Sequence, residues 1–279
     1  MKPLRIAIVG AGPAGLYAAI LLRKARQDIT VNVYERTNAS ATFGFGVVFS
    51  DTALDFLHAD DPQTHGLITR RMERWSDIEV VHRGERIIID GVGFSAIGRL
   101  ELLTLLQTRA RQLGAALHYD TEVSSIGALE PADLIIGADG INSVVRASSR
   151  AAFGETTELL SNHFAWFAAD RPFERLTQTF VDSPYGPFNA HHYRYNGTQS
   201  TFIVECQPDT WKNAGLHEAS ANQSQSICEN VFASALEGAS LIQNNSIWRQ
   251  FPILRNENWY YENRVLVGDA LHTAHFSIG

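Results

Sequence analysis

The sequence predicts an α/β fold with two parts, a parallel-sheet part that binds a dinucleotide and an antiparallel-sheet part. Three observations lead to this prediction. The chain opens with strand, glycine, helix and strand patterns in direct succession. Short apolar runs followed by glycine and aspartate recur near residues 137 and 268. Between residues 151 and 264 the strand–helix alternation gives way to period-two and aromatic-rich stretches, which are typical of antiparallel strands.

The opening stretch, residues 4–36, has the order of a βαβ unit. An apolar run rich in β-branched residues at 6–9 predicts a buried parallel strand. Residues 16–22 form the apolar body of a helix, and residues 30–34 predict a second strand. This order is the context in which a glycine-rich turn becomes a strong signal for dinucleotide binding.

Three glycines in that unit have the G-x-G-x-x-G spacing. Gly10 permits a tight turn, Gly12 lets backbone approach a pyrophosphate, and Gly15 lets the helix pack closely on the strand. The helix N-terminus adds N–H groups and a positive dipole for the phosphates. Glu35 follows the second strand, where it can accept hydrogen bonds from a ribose. The pattern predicts a dinucleotide without saying which one.

Composition excludes several classes of function. With 279 residues, 45% of them hydrophobic, the chain can bury a large core as one complex domain or two. A net charge of -7 argues against a general nucleic-acid binder. No apolar run has the length of a membrane span, and no signal-peptide pattern precedes the first strand. Cys206 and Cys228 form no disulfide framework, so we expect a reducing, cytoplasmic setting.

A glycine-containing loop at residues 37–50 leaves two interpretations open. Gly44 and Gly46 flank Phe45 and precede the apolar run 47–49. One interpretation is a flexible turn that leads into this run. The other is backbone that approaches a flat ligand, with Phe45 as an aromatic wall.

The next segment combines a hairpin and a helix. Residues 77–81 and 86–90 predict two strands joined by a tight turn, followed by a glycine-rich link at 91–98. Residues 99–113 predict an amphipathic helix with leucines at helical spacing.

A second stretch that could contact a ligand follows the predicted strand Leu134–Gly137. Asp139 lies where this strand ends, a position at which open α/β sheets place ligand contacts. It could equally cap a helix that begins near Asn142, with Ser143 and Arg146 in structural roles. From these residues alone the cap is the preferred interpretation.

Residues 151–264 predict an antiparallel sheet that forms a second domain able to wall a ligand site. Its clearest turn is Tyr195-Asn196-Gly197-Thr198, a strong hairpin signal. The predicted strands and the one predicted helix are 164–168, 177–182, 190–195, 200–205 and, for the helix, 224–236.

The last stretch, residues 264–279, predicts a buried strand that ends at Gly268-Asp269, where the aspartate could be a helix cap.

Packed or solvated imidazoles are the ordinary expectation for the histidines of interest, which are His163, His191, His192, His272 and His275. No HExxH or paired His/Cys spacing is present, so no metal site is predicted. The chain also has no nucleophile elbow and no P-loop.

Three motifs in order resemble those of the class A flavoprotein aromatic hydroxylases: GAGPAG at 10–15, GADGINSVVR at 137–146 and GDALH at 268–272. Arg99, which opens the predicted helix, belongs to the same pattern and would lie near the FAD phosphates. The resemblance implies a Rossmann-like FAD-binding domain of the glutathione-reductase type, as in p-hydroxybenzoate hydroxylase, with an antiparallel-sheet substrate domain. The implied domain boundaries are 1–70, 98–155 and 264–279 for FAD, and 71–97 and 156–263 for substrate.

This resemblance implies FAD as the cofactor, with NADH or NADPH as a transient reductant. Glu35 would bind the adenosine ribose, with Arg36 and the backbone at Val123 around the adenosine. Asp269 would bind the ribitol chain, and Asp139 would lie near the phosphates and relate to NAD(P)H use. The implied FAD-binding residues are Gly10, Gly12, Pro13, Ala14, Gly15, Glu35, Arg36, Gly46, Val47, Arg99, Val123, Asp139, Gly268 and Asp269.

A narrower resemblance is to the salicylyl-CoA 5-hydroxylase and 2-aminobenzoyl-CoA monooxygenase group. It rests on GFGVVFSDTAL at 44–54, WSDIEV at 75–80, FSAIGR at 94–99, STFIVE at 200–205 and HTAHFSIG at 272–279. Ordinary aromatic hydroxylases commonly have prolines near His275 and Phe276, so this departure favours the acyl-CoA group. Leu271 stands where relatives usually have alanine. Relatives continue beyond residue 279 with a turn and helix over the flavin ring, so the resemblance implies a C-terminally truncated chain.

The implied reaction is hydroxylation of an aromatic acyl-CoA. NAD(P)H reduces the flavin, O2 adds at C4a, and the resulting hydroperoxide transfers oxygen to an electron-rich ring. A nearby acceptor would take the proton of the ring substituent; His191 is the candidate, and Phe45 is a candidate ring wall. Arg70, Arg71 and Arg74 are candidates for binding CoA phosphates, although a solvated helix face explains them as well.

Several alternatives stay open at this point. The substrate could be a free aromatic acid or an indole-type compound. An NAD-linked dehydrogenase would explain the opening motif but neither later one, and a truncated, non-catalytic FAD-binding fragment would explain all three. The expected partners are a small aromatic substrate, as a CoA thioester in the main interpretation, and O2, without nucleic acid or membrane. A homodimer is compatible with the resemblance, but the sequence contains no signal for an oligomeric state.

Overall fold

The computed structural model of the protein describes residues 3–276, so the last three residues of the HTAHFSIG motif lie outside the described part. The strands, numbered in chain order, are β1 Arg5–Val9, β2 Thr30–Tyr34, β3 Gly46–Ser50, β4 Glu73–His82, β5 Glu85–Gly98, β6 Ala116–His118, β7 Leu134–Gly137, β8 Glu155–Ala169, β9 Leu176–Ser183, β10 Gly186–Arg194, β11 Ser200–Cys206, β12 Leu241–Gln243, β13 Arg249–Asn256, β14 Tyr260–Tyr261 and β15 Arg264–Leu266. The helices are α1 Pro13–Ala25, α2 Asp51–Asp60, α3 Pro62–Thr69, α4 Arg99–Gln112, α5 Val144–Ala147, α6 Arg150–Phe153, α7 Pro208–Asn213, α8 Ala221–Val231 and α9 Ala233–Leu236. Two 3-10 turns span Ile126–Ala128 and Gly268–Ala270.

The chain divides into two compact units. The first unit comprises Met1–Ala41, Leu100–Glu158 and Pro252–Gly279, and the second comprises Thr42–Arg99 and Leu159–Phe251. The predicted boundaries differ from these in two main places. Residues 42–70 belong to the second unit because β3 pairs antiparallel with the end of β5. Residues 252–263, which were assigned to the sheet domain, belong to the first unit.

The first unit is built on a sheet of six strands among the described residues, in the order β14-β15-β7-β1-β2-β6. All neighbours run parallel except β14 and β15. β1 lies inside the sheet, with Ile6 opposite Val31 on one side and Leu134 on the other. Strands covered on both faces are apolar throughout, which is why β1 reads as an uninterrupted apolar run. The predicted Rossmann-like α/β architecture is confirmed.

Helix α4 follows the sequence prediction closely. It begins at Arg99 and ends one residue short of the predicted bound. The leucines and alanine that define its apolar stripe are buried: Leu102, Leu103, Leu106 and Ala110. Gly114, with φ +87°, ends the helix in a left-handed conformation that glycine adopts without a Cβ penalty.

The second unit is built on a sheet whose main path among the described residues is β12-β8-β11-β10-β9-β4-β5-β3. Along this path neighbours are antiparallel, as predicted, except that β4 and β9 run parallel, with Ile78 opposite Leu176. The predicted β10–β11 hairpin is confirmed, and Asn196 Oδ1 accepts the N–H groups of Thr198 and Gln199 at 2.9 and 2.8 Å. The predicted link at 91–98 is wrong: these residues are the second half of β5.

The two faces of this sheet carry different side chains. One face packs against α8 and α9 through a core that includes Phe167, Phe188, Phe202, Cys228 and Phe232. The opposite face carries a second cluster of Trp75, Ala96, Ala168, Leu176, Tyr193 and Tyr195. The predicted helix 224–236 is two helices, and the first begins earlier because Ser220 and Gln223 form a capping box.

His192 on the helix-covered face makes the stability of the protein depend on pH. Its ring stacks on Phe202 at 5.1 Å between centroids, and its Nε2 lies 2.9 Å from Thr179 Oγ1. Burial, with smaller contributions from the neighbouring His191, Arg171 and Arg86, lowers the pKa of His192 to about 3. Because this pKa lies below the unfolded value of 6.5, the contribution is complete above pH 6.5 and is lost as the pH falls.

We therefore expect the free energy of unfolding to fall by about 2 kcal/mol between pH 7.5 and pH 5 through this residue alone. Urea denaturation at the two pH values measures this loss. His192→Gln cannot be protonated and keeps a hydrogen-bonding group for Thr179, so its stability should change less with pH. Equal losses in the parent chain and the variant would show that His192 is not the group responsible.

Candidate functional site

The turn after β1 requires glycine at its first position. Gly10 has φ +101°, and its N–H donates to the Tyr34 carbonyl at 2.8 Å. A Cβ built on Gly10 would lie 2.3 Å from the Ala138 carbonyl oxygen and 2.8 Å from the Asp139 nitrogen. The turn therefore packs against the backbone that follows β7, and no side chain fits between them.

The N-terminus of α1 has the features of an anion site. Gly12 is the N-cap and provides no side-chain cap, Pro13 occupies the first turn, and that turn contains no acidic side chain. No atom of the described chain lies within 4 Å of a Cβ built on Gly12. At Gly15, by contrast, a Cβ would lie 2.1 Å from the Gly10 carbonyl oxygen. Gly10 and Gly15 thus serve packing, whereas Gly12 leaves open space beside first-turn N–H groups that have no acceptor within the helix.

Glu35 has a structural role that the sequence did not reveal. Its Oε2 accepts the Ala11 N–H at 3.0 Å, and its Oε1 accepts the N–H and Oγ1–H of Thr37 at 3.0 and 2.9 Å. The carboxylate thus ties the glycine turn to the end of β2. A carboxylate has about four lone-pair sites, and three are used here, so one further hydrogen bond, to a ribose hydroxyl, remains available. Arg36 beside it is exposed.

A cavity of about 310 Å³ lies near the end of β2, and Val123 is one of its lining residues. Tyr34 and His118 also line it, with their rings stacked at 5.0 Å, and His118 Nε2 lies 3.0 Å from Asn32 Oδ1. Sequence reasoning did not find Tyr34 and His118, because their meeting depends on the parallel pairing of β2 with β6.

Asp139 acts as a cap, the role preferred from the local sequence. Its Oδ2 accepts the Val144 N–H at 2.7 Å at the start of α5, while Ser143 Oγ accepts the Arg146 N–H at 3.0 Å. Its Oδ1 is buried without a hydrogen-bond partner in residues 3–276. The segment 138–146 is held against β1 as well, since the Ala138 N–H donates to the Val9 carbonyl at 2.8 Å.

Arg146 connects the second motif to the third. Its guanidinium pairs with Glu155 at 2.8 Å and donates to the Ala270 carbonyl at 2.9 Å and to the Ile141 carbonyl. Only 4% of its side chain is exposed. The structural role expected for Arg146 is therefore confirmed, but its partner in the last motif is 124 residues away and is not apparent from sequence.

The third motif forms a 3-10 turn beside the N-terminus of α1. Gly268 has φ +59°, and a Cβ built on it would lie 2.9 Å from Ala14 Cβ. Asp269 is exposed and lies inside this turn. The sequence allowed Asp269 to be the cap of a helix, but the structure has only the single 3-10 turn Gly268–Ala270 here. Leu271 is buried with Val9, Val145 and Phe153, so the leucine in place of the usual alanine fills the core of the first unit.

These contacts allow a test of whether the first unit fits FAD. Gly10 and Gly15 pack against residue 138, Gly268 packs against Ala14, and Arg146 binds Ala270, so all three motifs meet around the N-terminus of α1. The open space at Gly12 suits a pyrophosphate, and carboxylates at Glu35 and Asp269 suit hydroxyl groups. The residues present therefore fit the ADP and ribitol portions of FAD.

The glycine loop of the second unit is held tightly. The Gly46 N–H donates to Thr201 Oγ1 at 3.0 Å, and the Tyr193 hydroxyl donates to the Gly46 carbonyl at 3.1 Å. A Cβ on Gly46 would lie 2.6 Å from Tyr195 Cβ. At Gly44, with φ +79°, it would lie 3.2 Å from the Trp166 ring. These clamps argue against the flexible-turn interpretation, and Tyr193 and Thr201 are site residues that sequence reasoning did not single out.

The other candidate residues of the second unit lie near this loop. Phe45 packs against the Trp75 and Tyr193 cluster, and its carbonyl accepts the N–H of Arg99 at 2.7 Å. Val47 continues into β3, opposite Ile97. Burial raises the pKa of Tyr193 to about 12, so its hydroxyl stays protonated.

His191 is buried on β10, and its ring contacts Tyr193 edge-on at 5.7 Å. Because side chains alternate along a strand, it faces away from the core that encloses His192. The arginines proposed for CoA are all exposed, but the helix-face explanation is wrong: α3 ends at Thr69, and Arg74 lies on β4 with its Nη2 3.2 Å from the Thr69 carbonyl.

Residues 3–276 contain no group of three His, Cys, Asp or Glu side chains placed to bind a metal ion. They also contain no helix with the length and apolarity needed to cross a membrane.

Comparison with known proteins agrees with this geometry. Residues 8–44 match the family described as NAD(P)-binding Rossmann-like domain. The chain is 41% identical to a salicyloyl-CoA 5-hydroxylase of a Streptomyces species, over 99% of this chain and 55% of that protein. The chain thus spans about half the length of that relative.

Two further similarities cover most of both proteins. A 3-hydroxy-4-methyl-anthranilyl-[aryl-carrier protein] 5-monooxygenase of Streptosporangium sibiricum is 32% identical, over 99% of this chain and 74% of that protein. Among solved structures, a 2-methyl-3-hydroxypyridine-5-carboxylic acid oxygenase (C294A mutant) superposes with a TM-score of 0.81 at 19% identity, covering 97% of this chain and 76% of that one. At this low identity the structural match supports the fold alone.

Proposed function

Because the chain belongs to the family of FAD-dependent aromatic monooxygenases, we propose that it binds FAD and, with NAD(P)H and O2, hydroxylates an aromatic acyl-CoA. The observation that carries the FAD part is the meeting of all three motifs around the N-terminus of α1. The acyl-CoA part is supported by the 41% identity to a salicyloyl-CoA 5-hydroxylase. The cytoplasmic location stays a prediction.

The first unit would hold the ADP half and the ribitol chain of the cofactor. The N-terminus of α1, with Gly12 as its open position, would bind the pyrophosphate. Glu35 would accept a hydrogen bond from the adenosine ribose. The cavity lined by Tyr34 and Val123 would enclose part of the adenosine. Asp269, exposed in its turn, would accept hydrogen bonds from the ribitol hydroxyls.

The remaining FAD-binding assignments concern Asp139, Arg99, Gly46 and Val47. Asp139 accepts the Val144 N–H at the start of α5, so it would act on the phosphates indirectly, by fixing the position of that helix start. Arg99 would add positive charge near the phosphates. Gly46 and Val47 would offer backbone groups to the flavin ring. The hydrogen bonds of Gly46 to Thr201 and Tyr193 hold this strand in one position, which would keep those backbone groups in place.

The second unit would position the aromatic substrate. When bound, FAD supplies the reduction of O2 and the transfer of one oxygen atom to the ring. The protein's own residues bind and orient the ring: Phe45 and the aromatic cluster of Trp75 and Tyr193 provide an apolar wall. His191, next to Tyr193, would accept the proton of an ortho hydroxyl or amino substituent. Exposed Arg70, Arg71 and Arg74 would bind CoA phosphates.

Replacing the ribitol acceptor tests the cofactor assignment. We expect Asp269→Ala to weaken FAD binding by about tenfold, since a hydrogen bond to a charged acceptor contributes about 1.5 kcal/mol. The melting temperature should change little, because the side chain is exposed. Flavin fluorescence titration measures the affinity, and Asp28→Ala is the control for removing an exposed acid of the same unit. Unchanged FAD affinity in Asp269→Ala would contradict the role assigned to this residue.

The reaction needs a separate experiment. NADH and NADPH oxidation is measured with salicyloyl-CoA, 2-aminobenzoyl-CoA and the corresponding free acids, together with hydroxylated product and H2O2. The proposal expects oxidation coupled to product with a CoA thioester. Coupled turnover of a free acid or an indole-type substrate would replace the acyl-CoA assignment. A flavin-containing protein without coupled turnover of any of them would favour the non-catalytic fragment, and a protein that binds no flavin would contradict the proposal altogether.

A further inference from the structure

Strand β5 leaves half of one edge without a partner in the described chain. It runs from Glu85 to Gly98 and pairs along one side with β4. On the other side β3 pairs only with its second half, from Phe94 to Gly98. After Ser50 the chain turns into α2, so no strand of the described chain covers the edge at residues 85–92.

The centre of this open edge, residues 87–89, is apolar. Ile87, Ile88 and Ile89 are 53%, 53% and 43% exposed, although successive side chains point to opposite faces of the sheet. Burial in the core of the chain therefore explains none of the three. Exposed edge strands are usually protected by charge, proline or a bulge. Here the charges of Arg86 and Asp90 and the irregular residues 91–93 flank the edge, but the three isoleucines between them carry no such protection. Such an edge pairs readily with another strand.

The sequence of the edge is complementary to itself when two copies run antiparallel. A two-fold axis across a pair of identical antiparallel strands must place one residue opposite its own copy. With Ile88 at the axis, Ile87 faces Ile89 and Arg86 faces Asp90, each twice. With the axis at Ile87 or Ile89, Arg86 instead faces Ile88 or Val92 and no charged pair forms. Only the register centred on Ile88 matches both the apolar and the charged residues.

The side-chain directions agree with this register. Arg86 and Asp90 are four residues apart, so both lie on the same sheet face, and residues directly opposite in an antiparallel pair share a face. Arg86 Nη1 is 3.2 Å from Glu79 Oε1, which places its guanidinium on the face that carries Glu79. Gly91, with φ +73°, departs from strand geometry and limits the pairing to residues 86–90.

We propose that this edge, the β5 edge at residues 86–90, binds a second copy of the chain and forms a closed dimer centred on Ile88. The contact is isologous, because each chain uses the same five residues, and so it consumes the edge and stops at two copies. The proposal concerns a surface of the second unit and does not depend on the proposed monooxygenase activity.

A charge-exchange experiment tests the register. Alone, Arg86→Asp and Asp90→Arg each place like charges opposite each other at two positions, so we expect the dimer dissociation constant to rise about tenfold or more. Mixed in equal amounts, the two variants restore both pairs: the new aspartate faces the new arginine, and native Asp90 faces native Arg86. Sedimentation of the 279-residue chain over a concentration series should give twice its 30.9 kDa mass for the parent chain and for the mixture, but not for either variant alone.

A second pair of variants separates the edge from general surface hydrophobicity. Ile88→Lys places two ammonium groups at the axis and should abolish the dimer, whereas Leu159→Lys, which alters a side chain 60% exposed on β8, should leave it intact. Thermal unfolding confirms that each variant is folded. A parent chain that is monomeric at all concentrations, a dimer unaffected by these substitutions, or assembly beyond two copies would each overturn the proposal.

Discussion

Gly10→Ala is expected to prevent folding and therefore FAD binding, whereas Gly12→Ala should leave the protein folded and weaken only its affinity for FAD. At Gly10 a Cβ would meet backbone atoms at 2.3 to 2.8 Å, and φ +101° is a conformation that alanine rarely adopts. The atoms it meets are backbone and cannot move aside, so the loss should exceed about 4 kcal/mol, which is nearly the whole stability of a domain whose free energy of unfolding is about 5 kcal/mol.

Gly12 provides the contrasting case within the same turn. Its φ of -70° suits any residue, and a Cβ there meets no atom of the described chain within 4 Å. Alanine should therefore change the stability by no more than about 0.5 kcal/mol. If a pyrophosphate occupies that space, the methyl group displaces it from the helix N-terminus, and losing about 1.5–3 kcal/mol of charge-assisted hydrogen bonding weakens FAD about 10- to 150-fold.

Circular dichroism melts without FAD and flavin fluorescence titrations separate the two effects. Gly15→Ala is a further control, since its Cβ would lie 2.1 Å from the Gly10 carbonyl oxygen and should reproduce the Gly10 result. If Gly12→Ala binds FAD as well as the parent chain, the pyrophosphate does not bind at this helix terminus.

Arg146→Met is expected to destabilise the protein by about 3 kcal/mol, because it removes the buried partner of the Glu155 carboxylate, which then keeps only the exposed Arg150. It also removes the donor to the Ile141 carbonyl and leaves the Ala270 carbonyl with only the long hydrogen bond from Asn256, at 3.5 Å. Arg150→Met is the matched control. Both arginines contact Glu155 Oε2, at 2.8 and 3.0 Å, but their side chains are 4% and 64% exposed. An exposed ion pair contributes about 0–1 kcal/mol, so the control should remain near the parent stability.

The Arg146 variant should also bind FAD more weakly, because the Ala270 carbonyl that it holds is adjacent to Asp269. Urea denaturation and FAD titration measure the two effects, and enough FAD to saturate the site should recover part of the lost stability. Similar free energies of unfolding for Arg146→Met and Arg150→Met would show that burial does not distinguish the two ion pairs.

Much of the fold was predictable because its signals are local. The strand and glycine patterns identified the βαβ opening, and the leucine spacing located α4 to within one residue. The Asn-Gly dipeptide marked the β10–β11 hairpin. The candidate FAD residues were predictable because each motif joins a strand end to a turn, where backbone geometry restricts the choice of residue.

Other features depend on residues far apart in the chain and were not predictable in the same way. The assignment of residues 42–70 follows from the pairing of β3 with β5, and no local signal showed that the link at 91–98 was a strand. Gly46 is a glycine because Tyr195 packs against it, and its N–H binds Thr201, 155 residues away.

By itself, then, the sequence determined the βαβ opening, helix α4, the Asn-Gly hairpin turn and the residue types offered to a dinucleotide. These depend on φ preferences, capping and side-chain periodicity among neighbours. Only the tertiary structure decided which motifs meet, that Arg146 connects the second motif to the third, and that Glu35 supports the glycine turn as well. Those outcomes depend on strand pairing and burial, which bring together groups that no local pattern relates.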